Sequence, residues 1–385
     1  MAKKKSSKKA KPKKASKSKP KKATPKKTAK TKPKKTPKSK VKKATKAKPV
    51  KKAKAAPKPA APTKPAAPAK PKPQPAFKPT GSVKKQCTDI AARTGDAYVA
   101  CLLSGGVVSS ILTLLGYKAL GKQLKVFIVD NGLLRQNESK DTFLLFSKLG
   151  MDIQIVNARK EFASALSGKH DPDQKRQAVI KALYYDTLNT IIRQSKAKYL
   201  LHSAYAGNGG QLGKNELNNL YNQLDINPET PFGCTFLEPF AGLKKEVILK
   251  MGKELKIPSV VVKRKSISLF GLAGRVVGEA TSEKIEIVRR ATTVIESVLG
   301  SVKASHILPV IHEGRIPAVI NKTRTVGFTI EIRCWEDAKG KACNPLKLSP
   351  KATDTLVKKL LTTVPGVVGV SYNVTPSPPA VPETL

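Results

Sequence analysis

The chain has 385 residues and a formal charge of +48, and the excess is concentrated at one end. Residues 1–80 hold 32 Lys and no Arg, Asp or Glu, leaving 42 basic against 26 acidic residues in the rest. No run approaches the ~20 apolar residues that a membrane-crossing helix requires. The charged start has no apolar core after it, unlike a secretory signal, and its lysines without arginine argue against a transit peptide. The five cysteines, an odd number without a Cys-x-x-Cys pair, read as reduced thiols, and four His without ligand spacing leave no zinc motif.

The first 80 residues come first in the chain and in the charge argument. Their lysines form pairs and triplets between Ala, Pro, Ser and Thr: Lys3, Lys4, Lys5, Lys8, Lys9, Lys13, Lys14, Lys21, Lys22, Lys26, Lys27, Lys34, Lys35, Lys42, Lys43, Lys51 and Lys52. Like charges repel, proline removes helical hydrogen bonds, and Phe77 is the one aromatic side chain, so this tail is expected to be disordered. From Ala56 to Thr80 lysine thins out and Ala-Pro dominates, as in a semi-rigid spacer. An extended polycation neutralises phosphates and releases counterions, with a salt slope of about −0.9 per contact on duplex DNA. The tail lysines are therefore candidate nucleic-acid-binding residues, with DNA ahead of RNA as the expected partner. The composition is similar to the C-terminal tails of linker histones. The basic cluster also suits a nuclear import signal, so the expected location is the nucleus or a nucleoid, otherwise the cytoplasm. The competing readings are a solubility tail or attraction to anionic membranes or RNA.

The folded part is expected to begin near Val83. An apolar run, Ala97 to Leu103, is followed by Ser104-Gly105-Gly106-Val107-Val108-Ser109-Ser110 and then by Ile111 to Leu115. That is the pattern of strand, glycine turn and helix. Free backbone N–H groups and a positive helix end suit a phosphate; a tight turn that needs glycine only for its backbone angles is the other reading. Next come a strand at Leu124 to Val129 ending in Asp130-Asn131-Gly132, a helix near Asn137 to Leu149, and a strand at Ile153 to Val156. Helices near Arg159 to Leu166 and Pro172 to Ser195 precede a strand at Lys198 to His202. Alternating strands and helices predict a parallel sheet covered on both faces. An acidic residue at a strand end beside a first-strand glycine turn is where such folds bind nucleotides.

From about Lys263 the pattern changes. A helix is predicted near Ser282 to Val302, strands at His306 to His312, Ala318 to Ile320 and Thr325 to Cys334, a helix near Ser349 to Leu361, and a strand at Val367 to Val374. Two helices with antiparallel strands predict a small α+β domain. Trp335, the only Trp, reads as core or interface.

Several segments together resemble a known family. Leu103 to Val107, Phe127 to Glu138 (Phe-Ile-Val-Asp-Asn-Gly-Leu-Leu-Arg-Gln-Asn-Glu), Asp171 to Arg176, Leu237-Glu238-Pro239-Phe240 with Leu243 to Val247, and Gly271 to Glu279 are similar, in order, to the ATP-pyrophosphatase and dimerisation parts of GMP synthetases. The resemblance implies a PP-loop α/β domain of the adenine nucleotide alpha hydrolase type at 83–262 and a dimerisation domain at 263–385. It implies adenylation of XMP with ATP and Mg²⁺, then displacement by ammonia from a glutaminase domain. The tail stands where that glutaminase would be, so a separate glutaminase partner is implied if the chain is active. Carried over residue by residue, the nucleotide-binding positions are Ser104, Gly105, Gly106, Ser109, Ser110, Asp130 and Arg135. Those on the substrate side are Lys244, Glu246, Arg333 and Glu336. The resemblance also implies a homodimer.

The chain departs from the family at places that carry charge. Val108 stands where the family loop has Asp. The family's Gly-Thr-x-x-Pro-Asp appears as Ser203 to Asn208, with Gln211 for a Glu, and Lys245 replaces an Asp. Phe-Pro-Gly-Pro-Gly appears as Ile267 to Gly271, Ile311 replaces an Arg, and the terminal segment Ser377 to Leu385 lacks the family's Lys. Losing one preorganised charge at such a site costs about 10²–10³ in rate. The expectation is a non-catalytic relative serving as a dimeric platform for a nucleic-acid-binding tail. The alternative is a working ammonia-dependent synthetase subunit with an anchoring tail, and the third reading is a nucleotide-sensing regulator. ATP and Mg²⁺ enter only if the ancestral site still binds.

Overall fold

The structure is a computed structural model that describes residues 78–206, 222, 233–264, 268–300, 302–304, 306–320, 322–336, 343–378, 380 and 383–384. All of them fall in one compact unit, Lys72–Leu385. The tail lysines from Lys3 to Lys52, the positions Asn208 and Gln211, Ile267, and Pro379, Val381, Pro382 and Leu385 lie outside the described residues.

A helix not anticipated in sequence opens the fold. α1 (Val83–Thr94) starts at Ser82, whose hydroxyl accepts from Lys85 N, and stops at Gly95. Then follow β1 (Val99–Leu102), α2 (Val107–Leu120), β2 (Leu124–Asp130), α3 (Glu138–Ser147), β3 (Ile153–Asn157) and α4 (Arg159–Leu166). The long helix expected from Pro172 runs as α5 (Pro172–Ile180), a π-helical stretch Lys181–Leu188, and α6 (Asn189–Ser195). Asp171 caps it, accepting from Asp173 N at 2.9 Å and Gln174 N at 3.1 Å. β4 (Tyr199–Leu201), β5 (Thr235–Leu237), α7 (Lys245–Glu254) and α8 (Ser259–Lys263) complete the layer.

The five strands form one parallel sheet in the order β3-β2-β1-β4-β5. Both faces are covered, which explains why its strands read as unbroken apolar runs. On one face Val99, Cys101, Val126 and Ile128 pack with Ile111 and Leu115 of α2 and Ile248 and Met251 of α7. On the other, Ala100, Phe127 and Leu200 pack with Phe162, Val179, Leu188 and Ile191.

That second cluster continues without a break into the C-terminal part. α9 (Ser282–Leu299) contributes Ile287, Val288 and Ile295, and a second sheet contributes Ile307, Ile330 and Ile332. This sheet contains β6 (His306–Ile320), β7 (Thr323–Trp335) and β8 (Val367–Tyr372), with α10 (Pro350–Thr363) between the last two. Two strands expected at His306 to His312 and Ala318 to Ile320 are one, bent where the register shifts between Ile311 and Arg315. The expectation of antiparallel strands holds for β6 with β7, but β8 lies parallel to β7. The reason is the crossover: α10 carries the chain back across the sheet before β8 begins, as a parallel neighbour requires. Trp335 is fully buried and its indole N–H donates to Thr375 O at 2.9 Å.

Candidate functional site

Parallel α/β sheets present ligands at the carboxyl ends of their strands, and the predicted loop lies there. β1 ends at Leu102, and Gly106 caps α2. Gly105 has φ of +81°, and a Cβ there would come 2.9 Å from Thr142 Oγ1 and 3.0 Å from Arg264 Nη1. Only glycine suits that position. Ser104 and Ser109 close the loop hydroxyl to hydroxyl at 2.9 Å, and Ser109 Oγ also donates to Gly106 O at 3.0 Å. Ser110 is fully buried, and its hydroxyl has no hydrogen-bond partner. Val108 is also inside: it is 6% exposed and belongs to the cluster of Ile111 and Leu112.

The surrounding charges are engaged by the protein itself. Arg264 crosses the loop, its Nη1 donating to Gly105 O at 3.3 Å and to Thr142 Oγ1 at 3.0 Å. Asp130 stands at the end of β2, where Arg159 Nη2 donates to Oδ2 at 2.9 Å and Gly132 N to Oδ1 at 3.2 Å. Burial alone would raise the Asp130 carboxyl; the bonds from Arg159 and Gly132 and the charges of Arg159 and Arg289 outweigh it, holding the group below its ordinary value. Arg135 is tied to α9 through Glu296 at 3.2 Å, while its backbone N–H donates to Glu138 at 3.0 Å. Arg289 of α9 donates to Leu134 O at 2.9 Å and also to Gly132 O. The Asp-Asn-Gly-Leu-Leu-Arg turn is thus held by the C-terminal part.

Gly271 adds to that hold. It has φ of +55°, its missing side chain leaves room for Leu133 O, and Leu272 N donates to that carbonyl at 2.7 Å. The chain end returns to the same turn: Thr384 N donates to Gly274 O at 2.6 Å. Nearby Arg275 is 3% exposed, and burial, with the charge of Arg135, pushes its guanidinium down to about 10.

The substrate-side positions divide into two groups. Lys244 caps α7 and Glu246 lies in its first turn. Burial, and then the charge of Glu246, raise the Tyr205 hydroxyl. Arg333 sits in the second sheet, where its Nε donates to Glu331 Oε1 at 2.8 Å. His312 Nε2 lies 2.6 Å from Glu331 Oε2, and Asn373 Nδ2 donates to Oε1 at 2.6 Å. Burial would raise Glu331; the bonds from Arg333, Asn373 and His312 win and hold it at about 2. Glu336 follows β7 and is exposed, its backbone N–H donating to Asn344 O at 2.9 Å.

Sequence reading missed Arg159, Arg264 and a polar cluster at the carboxyl ends of β4 and β5. His202 Nδ1 lies 3.1 Å from Glu238 Oε1, and Tyr184 Oη lies 3.4 Å from His202 Nε2. Arg159 had a signal: it opens α4 just beyond β3, which neighbours β2. Arg264 had none, being 159 residues from Gly105. Mg²⁺ in a nucleotide site takes one or two carboxylates together with waters and phosphate oxygens. Among the described residues, no three His, Cys, Asp or Glu side chains gather to hold a metal. Asp130 and Glu138 are the described carboxylates beside the loop, and each also accepts hydrogen bonds within the protein.

No family model matches the chain. Individual relatives do, each described as a subunit of glutamine-hydrolysing GMP synthase. The relative from Natronomonas pharaonis is 30% identical over 309 residues, covering 80% of this chain and 99% of its own. That from Sulfurisphaera tokodaii is 31% identical over 262 residues, covering 64% and 70%. That from Archaeoglobus fulgidus is 29% identical over 309 residues, covering 78% and 97%. With a parallel five-stranded sheet, a glycine loop at its carboxyl edge and a matched length that takes in both sheets, the chain belongs to the family of these GMP synthase subunits.

Proposed function

We propose that this chain is a non-catalytic member of its family, a PP-loop part (83–262) and a dimerisation part (263–385) that present a nucleic-acid-binding tail as a homodimer. The observation that carries the loss of synthesis is Val108, buried among apolar side chains where the family loop has a carboxylate. The pairing of Asp130 with Arg159 supports it, because part of that carboxylate's charge is already compensated within the protein. Backbone amides of Gly105, Gly106 and Ser109 remain a cradle for a nucleotide phosphate, so ATP binding without turnover is part of the proposal.

The charge of residues 1–80 carries the nucleic-acid half. A dimer presents two tails, which raises effective concentration and lets it bridge two duplex segments. DNA in a nucleus or nucleoid is the proposed target. Filter binding to duplex DNA at several salt concentrations tests this. The full chain should show a steep negative log–log slope, and replacing the lysines between Lys3 and Lys52 by Gln should abolish most of it. Equal affinity and slope for the two proteins would refute the tail.

The second reading is an active subunit that aminates XMP with ammonia from a separate glutaminase. The name shared by the relatives favours it, as do the retained Asp130, Lys244 and Glu246. GMP formation from ATP, Mg²⁺, XMP and ammonium separates the two.

A further inference from the structure

The second sheet outruns its third strand. β8 pairs only with Phe328 to Ile332 of β7, whereas β6 and β7 stay paired out to Ile320 and Thr323. Five residue steps of ~3.3 Å carry this two-stranded ribbon about 17 Å beyond Arg315. Cross-strand partners share a face, and the register pairs Arg315 with Phe328, Pro317 with Val326, and Val319 with Arg324, all on one face. Phe328 is 3% exposed and belongs to the core, while Val326 is 58% and Val319 72% exposed. The core face thus runs on into solvent as an apolar strip. Arg315 anchors its base: Nη2 donates to both carboxylate oxygens of Glu283, at 2.9 and 2.8 Å, and the guanidinium stands 4.8 Å from the Phe328 ring centroid. The strip ends in cations. No Asp or Glu occurs from Gly314 to Ile330, and among the described residues no carboxylate pairs with Arg324 or with Lys322 at the turn. A wet two-stranded ribbon is marginally stable alone. Its charge disfavours a second copy, because a two-fold axis would bring like charges together; a polyanion complements it.

We propose that this ribbon docks in the major groove of duplex DNA, with Val319 and Val326 against thymine methyl groups, Arg324 on a guanine edge and Lys322 on a phosphate. Strands ~4.8 Å apart fit a groove about 12 Å wide, which admits a two-stranded ribbon. Guanine offers O6 and N7 there to an arginine, and thymine offers a methyl group to apolar side chains. The tail neutralises phosphates whatever the sequence, so the ribbon is what gives the protein a preferred site. The proposal rests on the nucleic-acid reading above, and the test separates the two.

Selection by the full chain from a random-sequence duplex pool should enrich a short motif containing guanine and thymine. Dimethyl sulfate methylates guanine N7 in the major groove and adenine N3 in the minor groove. On the enriched duplex the protein should protect N7 and leave N3 open. Arg324→Gln should weaken the enriched duplex about 5-fold more than an unrelated one, the lower end of what a bidentate base contact discriminates. Val319→Asp should erase the same preference. Both side chains are exposed, and an unchanged urea midpoint shows that the fold is intact. No enriched motif, open N7, or equal losses on the two duplexes would overturn the ribbon. So would a dimer that Val319→Asp dissociates while DNA preference persists, which would assign the strip to a second copy. If the salt titration shows the tail to be inert, N7 protection and the Arg324→Gln loss still decide the ribbon.

Discussion

Val108 concentrates the functional question in one side chain. It occupies the second position of α2, where an acidic residue would gain from the helix dipole, yet it packs with Ile111 and Leu112. We predict that Val108→Asp recovers no GMP formation, because Arg159 still holds Asp130 and Lys245 still stands for an Asp. It should also destabilise the protein by about 2 kcal/mol or more, since it buries a carboxyl among apolar groups; urea denaturation reads this. Glu331 gives a second prediction. Its folded value of about 2 lies below the ordinary 4.5. The unfolded chain therefore takes up its proton first, so the stability it supplies is complete above pH 4.5 and lost as pH falls toward 2. Glu331→Gln should flatten the stability profile in that window. The loop itself was legible from Ser104, two glycines and Ser109 in sequence. Arg264 and Arg159 were not, because their roles depend on which strand ends and helices the fold brings together.

At the scale of elements, β1 to β4 and the helices between them followed from apolar runs and apolar helix faces, whereas α7 and α8 were not read from the sequence. α1 escaped because its apolar face is short, with Val83 and Ile90 buried amid Lys and Arg. β5 is three residues long and had only Thr235, Phe236 and Leu237 to signal it. The parallel pairing of β8 is a tertiary outcome that no local pattern carries. Contacts between elements add a prediction at Lys175 of α5, which is 1% exposed and donates to Val276 O at 2.7 Å. Burial, with repulsion from Lys284, brings its ammonium down to about 8 from 10.5. Between those values the unfolded state binds more protons than the folded one, so this lysine makes stability rise with pH from about 8 to 10.5. Lys175→Met should remove that rise, measured as the difference between the two denaturation profiles.

The whole molecule joins a family fold to a segment of opposite character. Residues matched to the relatives keep the apolar architecture, down to the glycine turn at Gly271 that receives Leu133 O. The changes fall on positions that the resemblance places beside ATP, Mg²⁺ and XMP. Fold and chemistry place different demands on a sequence: packing tolerates exchange among apolar residues, whereas a phosphoryl site loses orders of magnitude with one charge. A lineage released from synthesis while retained as a scaffold would accumulate this pattern, and in the proposed function the 32 lysines of residues 1–80 are what the scaffold presents. The most direct measurement is GMP formation by the full chain with ATP, Mg²⁺, XMP and saturating ammonium, followed by chromatography of the products. We predict no GMP above the protein-free control. Turnover that disappears on Ser104→Ala or Asp130→Asn would contradict the loss of synthesis.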